Sequence, residues 1–342
     1  MKILFITLII LCLLFIIYFL FALFITININ KVITGQRGKD PDNPCYLQYK
    51  DYQDVLNREQ YEMTFNKAKI RGYIYTDKRI NKFKGFIILS HGFFGTHIQY
   101  LLDISLLAKN GYKVLAYDQY GNGLSEGKNQ KSLATGIYLL DKIITDVEQK
   151  KLNKNLPLIL YGHSWGGYSV IGALKNHSEI YKCVSRSGIV SPFKATSNLF
   201  KIRNPKLYKF VGFLISFCSY FIYGFKGSLK STSGLKKNHK TKTLIIYADN
   251  DNMVNKENSL AYYYLKHPQD NVEVFITKLG KHNSILLEAG QENYHKKLKE
   301  YKELLKKNNY QELQNFTNSL NRISLYPYNE EVSNKILSFL NW

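Results

Sequence analysis

Acidic residues are scarce in this chain. Against 47 Lys and Arg stand only 26 Asp and Glu, a formal net charge of +21. Such an excess can serve nucleic acid or an anionic membrane face. The lysines are spread along the chain, and no basic stripe with interleaved aromatics is present, which argues against nucleic acid as a partner. Cysteine is scarce too. Cys12, Cys45, Cys183 and Cys218 fit neither a zinc-ligand spacing nor a dense disulfide framework, and they leave the redox compartment open. No internal repeat is visible. What remains is a chain of 342 residues, 45% apolar, long enough for one large domain or two modest ones and able to bury a sizeable core.

The most concentrated feature is the leader. Ile3 to Ile27 carries no charge. As a helix it measures about 37 Å at a rise of ~1.5 Å per residue, more than a hydrocarbon core of ~30 Å needs. A signal peptide has a shorter apolar region and a small-residue cleavage site, and "FALFITININ" lacks the A-x-A pattern. The expectation is a single-pass membrane anchor over residues 1–29, with a cleaved signal peptide as the alternative. Lys31, Arg37 and Lys39 come after the helix and only Lys2 precedes it. That count favours a cytoplasmic domain, but a two-residue head leaves the side undetermined. Residues 30–60, containing "GQRGKDPDNP", read as a polar linker rich in turn formers. The folded domain is then 61–342.

Behind the linker the pattern becomes regular. "KAKIRGYIYT" alternates as a half-buried strand does, and "GFIILSHG" is a short apolar run ending in glycine. A helical stretch near 98–109 comes next, then the strand opening "YKVLAYDQYGNG" and an amphipathic helix over 132–149. "LPLILYG" leads into a helix starting near Trp165. "YKCVSRSGIV", "KTLIIYADND" and "VEVFITKLGKH" supply three more strands. Short buried strands alternating with helices predict an α/β fold with a mostly parallel sheet covered on both faces. Chemistry in such sheets belongs at the carboxyl ends of the strands.

The chemical residues fall there. Ser164 sits between Gly162 and Gly166, directly after a strand and before a helix, which is the context of a nucleophile elbow. A serine hydroxyl needs a base, and His282 comes after the strand "VEVFITKLG". His163 is adjacent in sequence, but its side chain should point away at that turn. His91 and His97 lie in another loop, while His177, His239, His267 and His295 read as surface residues. A base needs an acid to fix its tautomer. "LIIYADNDNMV" offers Asp251, spaced from Ala248 and Val254 as such acids are, and Asp249 as the lesser candidate. An oxyanion needs two backbone donors. The Trp165 N–H and the Phe93 N–H of "HGFFGTH" are the candidates.

These motifs, in the order "HGFFGTH", "DQYGNGLSEG", "GHSWGG", the Asp loop and "GKH", resemble the α/β-hydrolase superfamily over residues 66–342. The chain is most similar to its monoglyceride-lipase-like and serine-aminopeptidase-like branches, some of which are membrane-anchored. The resemblance implies an α/β-hydrolase fold with a cap inserted at about 193–240. It implies a serine hydrolase using Ser164, His282 and Asp251 on carboxylic esters, with a lipid or acyl ester as partner and the membrane met through the leader. It implies no cofactor and no metal. A thioesterase or serine peptidase on the same residues is the alternative, and a non-catalytic membrane-tethered binding protein the third. A serine at the elbow argues against epoxide-hydrolase and dehalogenase chemistry, which runs through an aspartyl ester. The chain departs from the family in an extra charged stretch, 291–325, and in a very apolar cap run from Phe210 to Phe225, shorter than the ~20 residues of a span.

Overall fold

The computed structural model describes residues 1–130, 132–192, 194, 195, 220, 229–308 and 310–341. Nearly all of the apolar run Phe210–Phe225 lies outside the described residues, as does most of the expected cap.

Eight strands form one sheet: β1 Leu56–Phe65, β2 Ala68–Asp77, β3 Gly85–Ser90, β4 Tyr112–Tyr117, β5 Leu158–His163, β6 Lys182–Arg186, β7 Lys242–Ala248 and β8 Val272–Thr277. Their spatial order is β1-β2-β4-β3-β5-β6-β7-β8. The β1–β2 and β2–β4 pairings are antiparallel and all others parallel. The predicted mostly parallel sheet is therefore present. β1 is the strand the sequence pattern does not announce. It is an edge strand with a polar outer face, and it closes on β2 through Asn66 and Lys67, both at positive φ, as a tight two-residue hairpin requires.

Helices cover both faces. On one, α4 (Trp165–Ala173) packs on β3, β5 and β6, α3 (Thr135–Gln149) packs on α4 and β1, and α5 (Leu260–Lys266) lies against β7 and β8, burying among them Ile137, Leu140, Ile144, Val170, Ile171 and Leu260. On the other, α2 (Leu101–Lys109) and α8 (Glu330–Leu340) bury Leu101, Ile104, Val332, Ile336 and Leu340. β3 and β5, covered on both sides, are buried at every position, which is why they read as continuous apolar runs.

The leader forms α1, Lys2–Thr34, and its Lys2–Asn28 stretch is long and apolar enough to cross a membrane. Its apolar side chains are exposed almost throughout. Its polar side chains are satisfied within the helix: the Thr7, Thr26 and Asn28 side chains donate to the carbonyls of Ile3, Ala22 and Phe24. That economy suits a surrounding with no other acceptors.

Residues 30–60 depart from the linker reading. α1 extends to Thr34, and most of the segment between Thr34 and β1 is bound to the domain. Cys45, Leu47 and Tyr52 are buried, and Arg322 joins Pro44 O and the Asp51 carboxylate. Turn-forming composition marked the absence of regular structure, and local burial supplied the order. The charged 291–325 stretch lies within α6 (Glu288–Lys306), α7 (Tyr310–Ser319) and the segment after them. Only Gly290 of α6 is buried, and Tyr294 packs edge-on to Tyr46 of the bound arm. His177 also departs from expectation. It is buried, with Nδ1 on Glu179 and Nε2 on Asp141, because a polar ring between two carboxylates needs no solvent.

Candidate active site

Strand β5 ends at His163 and α4 begins at Trp165, so Ser164 alone makes the turn. Its φ is 56° and ψ −113°, a conformation that costs a non-glycine residue on the order of 1–3 kcal/mol. The small neighbours are a packing necessity. A Cβ on Gly162 would collide with Gly166 O, and one on Gly166 would collide with Ser90 O. The elbow is fastened to the neighbouring strand by Ser164 N–H, which donates to Arg186 O at 2.8 Å.

His282 stands in the loop after β8. Its Nδ1–H donates to Asp251 Oδ2 at 2.8 Å and lies 3.0 Å from Oδ1. The Asp251 carboxylate is fully buried, and its Oδ1 also accepts the backbone N–H groups of Met253 and Val254 at 2.8 and 2.9 Å. These bonds hold the carboxylate charge without solvent. Asp249 faces elsewhere. Its carboxylate accepts from Lys256 and from the Tyr262 hydroxyl, each at 2.6 Å, and these hydrogen bonds hold its pKa below the ordinary carboxylate value. Of the two candidates, Asp251 is the one on His282.

His163 turns away from the serine yet belongs to the site. Its Nε2–H donates to the backbone carbonyl of His282 at 3.0 Å, and its Nδ1 accepts from the Tyr100 hydroxyl at 2.7 Å. Tyr100 in turn accepts the Gly92 N–H at 2.8 Å. Those roles require a neutral ring. Burial, then the Arg186 and His282 charges, holds the His163 pKa well below the ordinary imidazole value. Ser187, at φ 49°, adds a second bond to His282 O, at 2.9 Å. Among the described residues no hydrogen bond joins Ser164 Oγ to His282 Nε2. Catalytic hydrogen bonds in a resting site are commonly long and tighten only with substrate.

On the other flank lies the turn Gly92–Gly95. Among the described residues nothing accepts the Phe93 N–H, and the Trp165 N–H, at the first position of α4, has no acceptor inside its helix. The Phe93 and Trp165 rings meet edge to face at 5.3 Å, which brings the two backbone positions to the same corner. His91, fully buried, anchors this turn. Its Nδ1–H donates to Gly92 O at 2.7 Å, its Nε2 accepts Gln119 N–H at 2.9 Å, and burial holds its pKa down. Tyr100, His91, His163 and Ser187 thus belong to the site's support although their sequence positions gave little sign of it. For His163 a sign existed: strand alternation aims it opposite to the turn that exposes Ser164.

Comparison with known proteins converges on the same architecture. A profile of the serine aminopeptidase S33 family matches residues 81–215. Monoglyceride lipase of Saccharomyces cerevisiae is 30% identical over 170 residues, 46% of this chain and 53% of that enzyme. Proline iminopeptidase of Saccharolobus solfataricus is 32% identical over 108 residues, 31% of this chain and 34% of that enzyme. The matches therefore span about half of the first relative's length and a third of the second's. An esterase of Pyrococcus furiosus superposes with a TM-score of 0.56 at 20% identity, over 78% of this chain and 96% of its own. With this strand order, the serine at a strained turn after β5 and these matches, the chain has an α/β-hydrolase fold and is similar over residues 81–215 to the serine aminopeptidase S33 family.

Proposed function

We propose that the chain is a membrane-anchored serine hydrolase of carboxylic esters, with lipid or acyl esters as substrates. The observation that carries this reading is the pairing of a strained elbow serine after β5 with a buried Asp251–His282 hydrogen bond after β7 and β8. Ser164 Oγ attacks the acyl carbonyl while His282 Nε2 takes its proton. Asp251 holds the Nδ1–H tautomer and supports the imidazolium. The Phe93 and Trp165 N–H groups receive the oxyanion. His282 returns the proton to the leaving alcohol. Water, deprotonated by the same base, then attacks the acyl-enzyme and frees the acid and Ser164.

Two features favour an acyl ester over a free-amino peptide. Residues 193–240 carry ten Lys or Arg and no Asp or Glu, so this stretch brings no carboxylate for a substrate ammonium. The same stretch holds seven aromatic residues between Phe210 and Phe225, a composition suited to acyl chains and to a membrane interface. α1 supplies the anchor, and the domain behind it the chemistry.

The test is fluorophosphonate labelling of the full-length protein and its Ser164→Ala variant. It is paired with turnover of acyl esters, thioesters and aminoacyl amides, each with and without vesicles. Labelling lost in the variant and fastest turnover on vesicle-borne esters support the reading. An unlabelled wild type overturns it, and a preference for aminoacyl amides moves the chain to the peptidase branch.

A further inference from the structure

The arm between α1 and the domain reaches the corner where Phe93 lies. Arg37 spreads its guanidinium over three backbone carbonyls of the loop after β4: Gly123 and Ser125, each at 2.5 Å, and Gly127 at 2.8 Å. Gly38 pairs with that loop on both sides. Its N–H donates to Asn122 Oδ1 at 2.8 Å, and its carbonyl accepts Gly123 N–H at 2.9 Å. Gly38 also touches the Phe93 turn itself: a Cβ there would stand 2.8 Å from Phe94 O and 2.9 Å from Gly95 O. Two residues on, the Asp40 carboxylate accepts the Thr96 hydroxyl. Residues 37–40 therefore lie as a strap across two loops.

The two loops are also fastened to each other and to β2: Asp118 Oδ1 accepts the His97 N–H at 2.7 Å and its Nδ1–H at 2.9 Å, and the Arg71 and Lys69 N–H groups donate to Ser125 Oγ and the Glu126 carboxylate. Gln119 joins the loops as well, its N–H to His91 Nε2 and its side-chain amide to His91 O at 2.6 Å. Several buried polar atoms around the joint have no partner among the described residues: His97 Nε2, Gln119 Oε1, Asn122 Nδ2 and Gln130 Oε1. Such a network is incompletely satisfied, so its geometry depends on what clamps it from outside. From these contacts we infer that Arg37 and Gly38 are positioning residues for the hydrolytic step, holding the Phe93 turn where its N–H meets the oxyanion. The inference rests on the proposed function. It adds that the segment beside the membrane helix is part of the enzyme's catalytic support, which its place in a polar, turn-rich stretch does not announce.

The experiment uses full-length protein in detergent micelles with a short soluble p-nitrophenyl ester. Arg37→Ala should lower kcat about 10-fold, less than the 10²–10³ that accompanies outright loss of an oxyanion donor. KM should stay within about twofold, because the ground-state carbonyl binds without that donor. The rate of fluorophosphonate labelling should fall in step. The pH profile of kcat should keep its midpoint, since His282 and Asp251 are fastened independently of the strap. Millimolar guanidinium should restore part of the lost kcat by occupying the vacated carbonyl cradle. Gly38→Ala should show the same kcat loss without guanidinium rescue. Lys50→Ala, an exposed charge outside the strap, should leave kcat unchanged. Folding is checked by the melting temperature of each variant, and Gly38→Ala carries the test where Arg37→Ala does not fold. Undiminished kcat in a folded strap variant overturns the inference, as does a loss expressed only in KM or a shifted pH midpoint. A wild type that fluorophosphonate does not label overturns the hydrolase reading instead.

Discussion

The two flanks of the site are fastened in different ways. On the β7–β8 flank the groups are bonded directly to one another or to the backbone beside them: Asp251 to the two amides of its own turn, His282 O to His163 and Ser187, Ser164 N to Arg186 O. Arg186, fully buried, meets the Asp103 carboxylate at 2.6 Å, while its Nε has no partner among the described residues. On the β3–β4 flank the turn that carries Phe93 rests on His91, Tyr100, Gln119 and the Asp118–His97 pair, and on a strap from some fifty residues upstream. The groups around His282 are thus held by one another, whereas the Phe93 turn is held in part from a segment outside the sheet.

The contrast between the flanks collapses most completely at the serine they share. Ser164→Ala should lower kcat by roughly 10⁶-fold, the scale seen when a serine nucleophile is removed. Its melting temperature should stay near that of the wild type, since Ala removes no fold-bearing contact. Ester turnover measured to the limit of detection checks this, and substantial residual turnover would place the reaction at another residue.

The next largest effect separates the two carboxylates. Asp251→Asn keeps the shape but offers His282 the wrong tautomer, and kcat should fall by about 10⁴-fold. Asp249→Asn, whose partners are an exposed lysine and a tyrosine, should leave kcat essentially unchanged. Steady-state kinetics of both variants decides between them, and the reverse ranking would transfer the acid's role to Asp249.

A smaller effect tests whether the β7–β8 flank is self-contained. His163→Phe removes both bonds of the bridge between Tyr100 and His282 O while keeping a ring in place. A kcat loss of about 10-fold is expected, short of the 10²–10⁴ range of a whole acid–base contribution. A shifted pH midpoint should accompany it, in contrast to the strap variants. A kcat loss without any shift would mean that His163 acts on the Phe93 turn through Tyr100 and not on the base.

The smallest effect is on stability. His163 and His91 are fully buried and held below the ordinary imidazole pKa of 6.5, chiefly by burial. The unfolded chain therefore binds protons that the folded chain refuses once the pH falls below about 6.5. Stability should be fully present above that value and decline below it, with a slope approaching ~1.4 kcal/mol per pH unit for each histidine. Melting temperatures from about pH 7.5 down to about pH 5 measure this, and His163→Phe should flatten the decline. A flat curve in the wild type would show that these rings accept protons in place.

Much of the fold was legible because period and burial speak directly in the sequence. β3 and β5 are covered on both faces and read as unbroken apolar runs, and the glycines flanking Ser164 answer to carbonyl oxygens so close that no side chain fits. The spacing Ala248–Asp251–Val254 was legible for a related reason: Asp251 caps the turn it sits in, accepting Val254 N–H. β1 was not legible, since an edge strand with a polar face resembles a linker. The burial of His177, Cys45 and Tyr52 was hidden as well, because it comes from partners far away in sequence. Arg37 was hidden for the same reason. Its three acceptors are backbone carbonyls, which leave no mark on residue type.

The closeness of α1 to the strap has a kinetic consequence. α1 ends at Thr34, and only Gly35 and Gln36 separate it from Arg37. Three Cα steps of ~3.8 Å reach at most about 11 Å. With α1 in a bilayer, the strapped loops stay within about 20 Å of the hydrocarbon edge, so encounter with a lipid ester becomes a search in two dimensions. Turnover would then track the mole fraction of ester in the surface and be indifferent to the bulk amount of lipid once every molecule is inserted. Diluting the ester with inert phospholipid at constant total lipid should slow the enzyme, whereas adding more vesicles of the same composition should not.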